Sequence, residues 1–191
     1  MPLPPPVDRE EMHRRTIDLR GYRRADGLFD IEGRVIDVKT QPMHPPGRDA
    51  PVPAGVPIHS MAVRLVVDEN LLISDVAATI DAGPYGDCPS ATRSLAALRG
   101  ARIGPGWSKR VKALLGPQSC THLVELLIPM ATAAYQTLAP MRFTRVDPLD
   151  AAGRPTKIDS CYAYSSDRAL VRMRWPGHYT RPADVGVNSA K

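Results

Sequence analysis

At 191 residues, with 43% hydrophobic and 24% charged side chains, the chain is long enough to bury a sizeable core and too apolar for wholesale disorder. No run approaches the roughly 18 uninterrupted apolar residues of a membrane span, and Met1-Pro-Leu-Pro-Pro-Pro lacks the basic and apolar regions of a secretory signal. Three cysteines cannot all pair within the chain, which argues against a disulfide framework and predicts a cytoplasmic protein. The net charge of +5 comes mostly from scattered arginines; with 5% aromatics and no zinc-finger, helix-turn-helix or RNP pattern, nucleic acid is a disfavoured partner.

Proline shapes the map. Residues 1–7 form a Pro-rich N-terminal arm, and 41–57 form a long loop in which Pro42, Pro45, Pro46, Pro51, Pro53 and Pro57 forbid a regular element. Between them, 27–39 alternates as a strand, with Phe29, Ile31 and Val35 on one parity and Asp30, Glu32 and Arg34 on the other; Gly33 reads as a bulge. Segments 61–67 and 71–80 read as a β-hairpin spanning about 60–81, turning at Asp68-Glu69-Asn70. Three helices follow at 89–99, 105–115 and 120–138, with Pro89 and Pro105 in first turns and Gly100, Gly104 and Gly116 at helix ends. After Pro140 the pattern returns to strand at 160–164 and 169–175. Strands, helices, then strands predict a single α+β domain over 1–191, an antiparallel sheet covered by about three helices between 89 and 138, with further strands near 27–39 and 158–175.

There is no P-loop, no GxGxxG after a strand, no GxSxG and no HExxH. What remains is a set of soft-metal ligand types. Cys88 directly precedes Pro89; if Pro89 opens a helix, Cys88 stands at its N-cap, where backbone N–H groups favour negative charge. Cys120 repeats the arrangement after Gly116-Pro-Gln-Ser119, and His122 lies two residues on. His59 opens the first hairpin strand on the parity of Met61, Val63 and Leu65, the helix-covered side. His59, Cys88, Cys120 and His122 therefore make a candidate tetrahedral site for zinc or iron, or for iron–sulfur ligation. The competing reading takes the cysteines as small buried hydrophobes and the histidines as hydrogen-bonded.

Glu125, three residues past His122 on one helical face, is a candidate general base, or else an acid complementing the helix dipole. Arg64 sits among apolar neighbours and reads as a buried anion binder, with Asp75 or Asp81 as the alternative partner. Arg14, Arg15, Arg20, Arg23 and Arg24 crowd beside Asp26 and Asp30, suiting either carboxylate capture or a solvated, ion-paired face. Cys161 reads as structural.

The runs Gly21-Tyr-Arg-Arg-Ala-Asp-Gly-Leu-Phe-Asp-Ile-Glu-Gly33, Pro57-Ile-His-Ser-Met-Ala-Val-Arg-Leu65 and Cys120-Thr-His-Leu-Val-Glu-Leu-Leu127 resemble a bacterial family catalogued as a domain of unknown function. The resemblance extends from about 14 to 137 and implies a catabolic or accessory role. The chain is also distantly similar to the U-type iron–sulfur cluster scaffold proteins. His59-Ser-Met-Ala-Val-Arg-Leu stands where they have their first ligand Cys and strand. Cys88-Pro-Ser-Ala-Thr stands for their Cys-Gly-Ser-Ala, Arg99-Gly-Ala-Arg-Ile103 for a Lys-Gly-Lys helix end, and Cys120-Thr-His-Leu for their His-Cys-Ser-Met-Leu. The first Cys is here His59, Pro89 replaces a glycine, and the final His follows its Cys.

These readings predict a small metal-binding protein, an enzyme of lyase or hydrolase type, with a zinc or iron cofactor held by the four side chains and with Glu125 and Arg64 handling a proton and the carboxylate of a small anionic metabolite. The alternatives are an accessory subunit or scaffold whose Pro-rich arms engage a protein partner or a second copy, and a metal-free enzyme with a cysteine nucleophile. Shared ligation puts the Cys88 and Cys120 sulfurs within about 4 Å of each other.

Overall fold

The computed structural model describes residues 3–142 and 147–181. The chain divides into two compact units, Met1–Pro140 and Met141–Lys191. The first holds four strands, β1 (His13–Arg23), β2 (Phe29–Lys39), β3 (Pro57–Val67) and β4 (Ile73–Ala82), in an open antiparallel sheet of order β1-β2-β3-β4. The α+β expectation holds.

β2 keeps strict alternation: Phe29, Ile31 and Val35 are buried while Arg34 is exposed. β3 alternates through its middle, with Met61, Val63 and Leu65 buried and Arg64 exposed, and is buried on both parities at Val66 and Val67. The β3–β4 turn is fixed by Asp68, whose Oδ1 accepts the N–H of Asn70 and of Leu72, both at 2.8 Å; this holds Leu71 at a left-handed φ of 63°. The Pro-rich segment is irregular over 41–56, closed by one antiparallel bridge between Met43 and Val52, and its last proline, Pro57, opens β3.

The three expected helices are present, with one difference in kind. Cys88–Leu98 is a long 3₁₀-helix, in which Thr92 Oγ1 and Ser94 Oγ bond carbonyls three residues back at 2.8 and 2.7 Å. α1 (Trp107–Leu115) buries Trp107, Val111 and Leu115, a single stripe at helical spacing. α2 (Thr121–Arg142) buries Leu123, Leu126, Leu127, Met130, Ala134 and Leu138, and runs through Pro129. Trp107 ties α1 to α2 by donating from Nε1 to the Leu127 carbonyl at 2.9 Å.

α2 lies on the inward face of β1 and β2. A Cβ at Gly33 would fall 2.7 Å from the Met130 sulfur and 3.2 Å from Leu126, and one at Gly21 would fall on the Thr137 hydroxyl. Gly33 is thus not the expected bulge: it pairs in continuous register with Leu19 and Val63 and is glycine because the helix presses on it.

In the second unit the expected strands at 160–164 and 169–175 are replaced by a 3₁₀ turn at Tyr162–Tyr164 and a short helix, α3 (Ala169–Arg174). Val171 is the one buried residue of α3, so no period-2 face exists to be covered, and among the described residues no strand pairs with either segment. Asp147 draws Lys157 and Arg174 together there, at 2.5 and 3.0 Å.

Candidate metal centre

The register lines up three side chains across three strands. Arg15 of β1 pairs with Asp37 of β2, and Asp37 pairs with His59 of β3. Asp37 continues the inward parity of Phe29, Ile31, Gly33 and Val35 and is 1% exposed, so its charge requires partners. It has four. Oδ1 accepts from His13 Nε2 and Arg15 Nε, both at 2.8 Å; Oδ2 accepts from Arg15 Nη2 at 2.9 Å and His59 Nδ1 at 3.0 Å. Burial alone would push this carboxyl up, but the bonds from Arg15 and His13 outweigh it and hold it well below the usual carboxylate range.

An ionised carboxylate only accepts, so the proton of His59 resides on Nδ1 and its Nε2 carries a bare lone pair. Burial, followed by the nearness of His122, keeps His59 below the ordinary imidazole value. His122 arrives from the first turn of α2. The Cys120 carbonyl accepts the Val124 N–H at 3.0 Å, which puts Cys120 at the N-cap as the sequence predicts. The rings of His59 and His122 lie 3.9 Å apart at an interplanar angle of 36°.

Asp37, His59 and His122 can each present a donor atom within 4.8 Å of the other two, and they form the one such group of three or more among the described residues. Of the four expected ligands, His59 and His122 meet. Cys120 stands just outside, its Sγ 3.7 Å from His122 Nδ1 and 4.0 Å from the Met61 sulfur. Cys88 does not join the group. It opens the 3₁₀-helix behind an Asp87 cap and packs on Gly83, at the end of β4 whose Ala82 pairs with Ser60.

Glu125 lies one turn along α2 from His122, and its Oε2 accepts from Arg15 Nη1 at 3.1 Å. The Arg15 guanidinium therefore bridges two carboxylates; the bond to Asp37, against some burial, raises it above the ordinary arginine value. Beside this bridge is a small cavity of about 40 Å³, lined by Arg15, Ile17, Val35, His122, Glu125 and Leu126.

Arg64 belongs elsewhere. It lies on the opposite parity of β3 from His59, half exposed, and bonds its in-register neighbour Glu32 at 2.6 Å. It borders a shallow concavity of about 500 Å³ on the uncovered face with Arg20, Glu32 and Arg34. Neither Asp75 nor Asp81 is its partner, since these pair with Arg99 and Arg34. The expectation of a buried arginine fails because the apolar neighbours in sequence point to the other face.

His13 and Asp37 were not among the expected site residues, and Arg15 was read only as one of five crowded arginines suited to carboxylate capture or to a solvated face. The available signal was Asp37, an acid on the apolar parity of a strand.

No curated protein and no solved structure matches the chain. A family model described as Protein of unknown function (DUF2889) matches residues 13–136, from the first residue of β1 into α2 and so over every side chain of this cluster; the chain belongs to that family.

Proposed function

We propose that this protein is a metal-binding protein whose ion sits between His59 and His122 at the N-terminus of α2. The observation that carries the reading is the meeting of donor atoms from β2, β3 and α2 within 4.8 Å, with Nδ1 of His59 bonded to a buried carboxylate. Carboxylate-oriented imidazole is the arrangement in which metal-binding histidines are commonly held. Cys120 is the next donor: nitrogen and sulfur ligands of one tetrahedral zinc stand about 3.5 Å apart, close to the 3.7 Å between Cys120 Sγ and His122 Nδ1. The donors open to an ion are two imidazole nitrogens with one sulfur nearby, which favours a single ion over an iron–sulfur cluster.

An ion with an open coordination position can polarise a carbonyl or activate water. Glu125, on the rim of the adjoining cavity, is placed to handle a proton, and Arg15, which lines the same cavity, carries the positive charge nearest to a small organic anion. Arg64 has no part in this chemistry. The test is elemental analysis of protein purified without a metal-affinity tag, followed by calorimetric titration of the metal-free form with zinc. Near-stoichiometric binding, abolished in His59→Ala and His122→Ala, is expected; absence of binding by the wild type sinks the reading.

The contact between Cys120 and His122 also favours a second reading, a thiol nucleophile with a histidine base. Alkylation by iodoacetamide that singles out Cys120, with equal rates with and without chelator, selects this alternative.

A further inference from the structure

We infer that Arg15 holds Asp37 out of the metal's coordination sphere and thereby tunes the site toward ions that prefer nitrogen and sulfur over ions that prefer oxygen. The inference rests on the metal-binding reading above and specifies which ions that site takes.

The argument is one of lone pairs. A carboxylate offers about four acceptor positions, and all four of Asp37 are used: two by the Arg15 fork, one by His13 and one by His59. A metal could bind an Asp37 oxygen only by displacing one of these donors. The bidentate Arg15 pair is the hardest to displace, because its planar fork matches the carboxylate and Asp37 is buried. Arg15 is further anchored by Glu125, so its guanidinium is held from two sides. With Asp37 confined to orienting His59, the donors left to an ion are two imidazoles and the Cys120 thiol. Imidazole and thiolate suit zinc and cobalt; carboxylate-rich sites suit magnesium, calcium and manganese. Arg15 is therefore a positioning residue, acting through Asp37.

The experiment compares zinc and manganese affinities of full-length, metal-free wild type, Arg15→Met and Arg15→Lys by competition titration. Freed of the fork, Asp37 becomes available as a ligand, so Arg15→Met is expected to shift the manganese-to-zinc affinity ratio toward manganese by about tenfold or more, the scale on which partners of metal ligands act. Asp37→Asn in the Arg15→Met background should reverse the shift. If Arg15→Met does not fold, Arg15→Lys, which keeps the charge without the fork, carries the same expectation. Wild type that binds zinc while every folded Arg15 variant keeps the wild-type ratio overturns the role of Arg15 alone. Wild type that binds neither ion overturns the metal reading as well.

Discussion

Asp37 and His59 face each other directly across the β2–β3 ladder, and Oδ2 of Asp37 accepts the Nδ1 proton of His59 at 3.0 Å. One contact thus sets both the tautomer of a metal-competent histidine and the partner of a buried charge. Asp37→Asn keeps the volume but leaves the Arg15 fork and His13 facing a neutral amide, with Glu125 the remaining anion on Arg15. Urea denaturation of the metal-free protein near neutral pH is expected to show a loss of about 2–4 kcal/mol. A loss below about 0.5 kcal/mol, the level of an ordinary surface change, would contradict a structural role for the network.

The pH dependence follows in sign. Both His59 and Asp37 have folded values below their ordinary ones, so the unfolded chain binds more protons and stability rises with pH. The His59 contribution is complete above about pH 6.5 and is lost as pH falls through its lowered folded value. That of Asp37 is complete above about pH 4 and disappears only in strong acid. Urea midpoints of chelator-treated protein between about pH 5 and about pH 8 should increase, and His59→Gln should flatten the rise. A profile of equal slope in the variant would remove His59 as its source.

The two cysteines are separable by cobalt. Substituted into the site, cobalt should show a near-ultraviolet thiolate charge-transfer band if Cys120 closes on the ion. Cys120→Ser should abolish that band and Cys88→Ser should leave it. The opposite pattern would restore Cys88 as the ligand.

Gly33→Ala tests the seat of α2 on the sheet. The new methyl meets the Met130 sulfur, and a loss of about 1–3 kcal/mol is expected. In a Met130→Ala background, where the obstruction is gone, the same substitution should cost much less, and the double-mutant cycle should show coupling of about 1 kcal/mol or more. Strict additivity would mean that helix and strand do not touch there.

Arg64→Ala should alter stability by no more than about 1 kcal/mol, since its pair with Glu32 is exposed, and should leave zinc affinity unchanged. A weakened affinity would tie the uncovered face to the metal site.

Much of this fold is legible in the sequence where one parity or one stripe is apolar. The alternation of Phe29, Ile31 and Val35, the Asp68 turn and the helical spacing of Leu123, Leu126, Leu127 and Met130 all appear in the structure. β1 escapes detection because His-Arg-Arg-Thr-Ile-Asp-Leu-Arg-Gly-Tyr-Arg has no apolar face to show; it is exposed nearly throughout, with only Leu19 half-buried. The segments near 160–175 mislead for the opposite reason, since five or six residues cannot separate a period of 2 from one of 3.6. At the site, the histidines were found from their place at element starts. Asp37 was passed over because acids on strands are usually solvated, and only its register with Arg15 and His59 reveals otherwise.

Of the two edge strands of the sheet, β1 carries a burden unlike that of its neighbours. β1 is laddered on one edge alone and exposed along almost all of its length, the profile of a segment that opens locally before the rest. Yet it brings His13 and Arg15 to Asp37. Each fraying event strips the Arg15 guanidinium and the His13 ring from a buried anion, so the charge acts as a tether that pulls the strand back. The lifetime of the closed cluster is then set by an equilibrium at the rim of the sheet, not by its core, and amide exchange along β1 is where that equilibrium becomes visible.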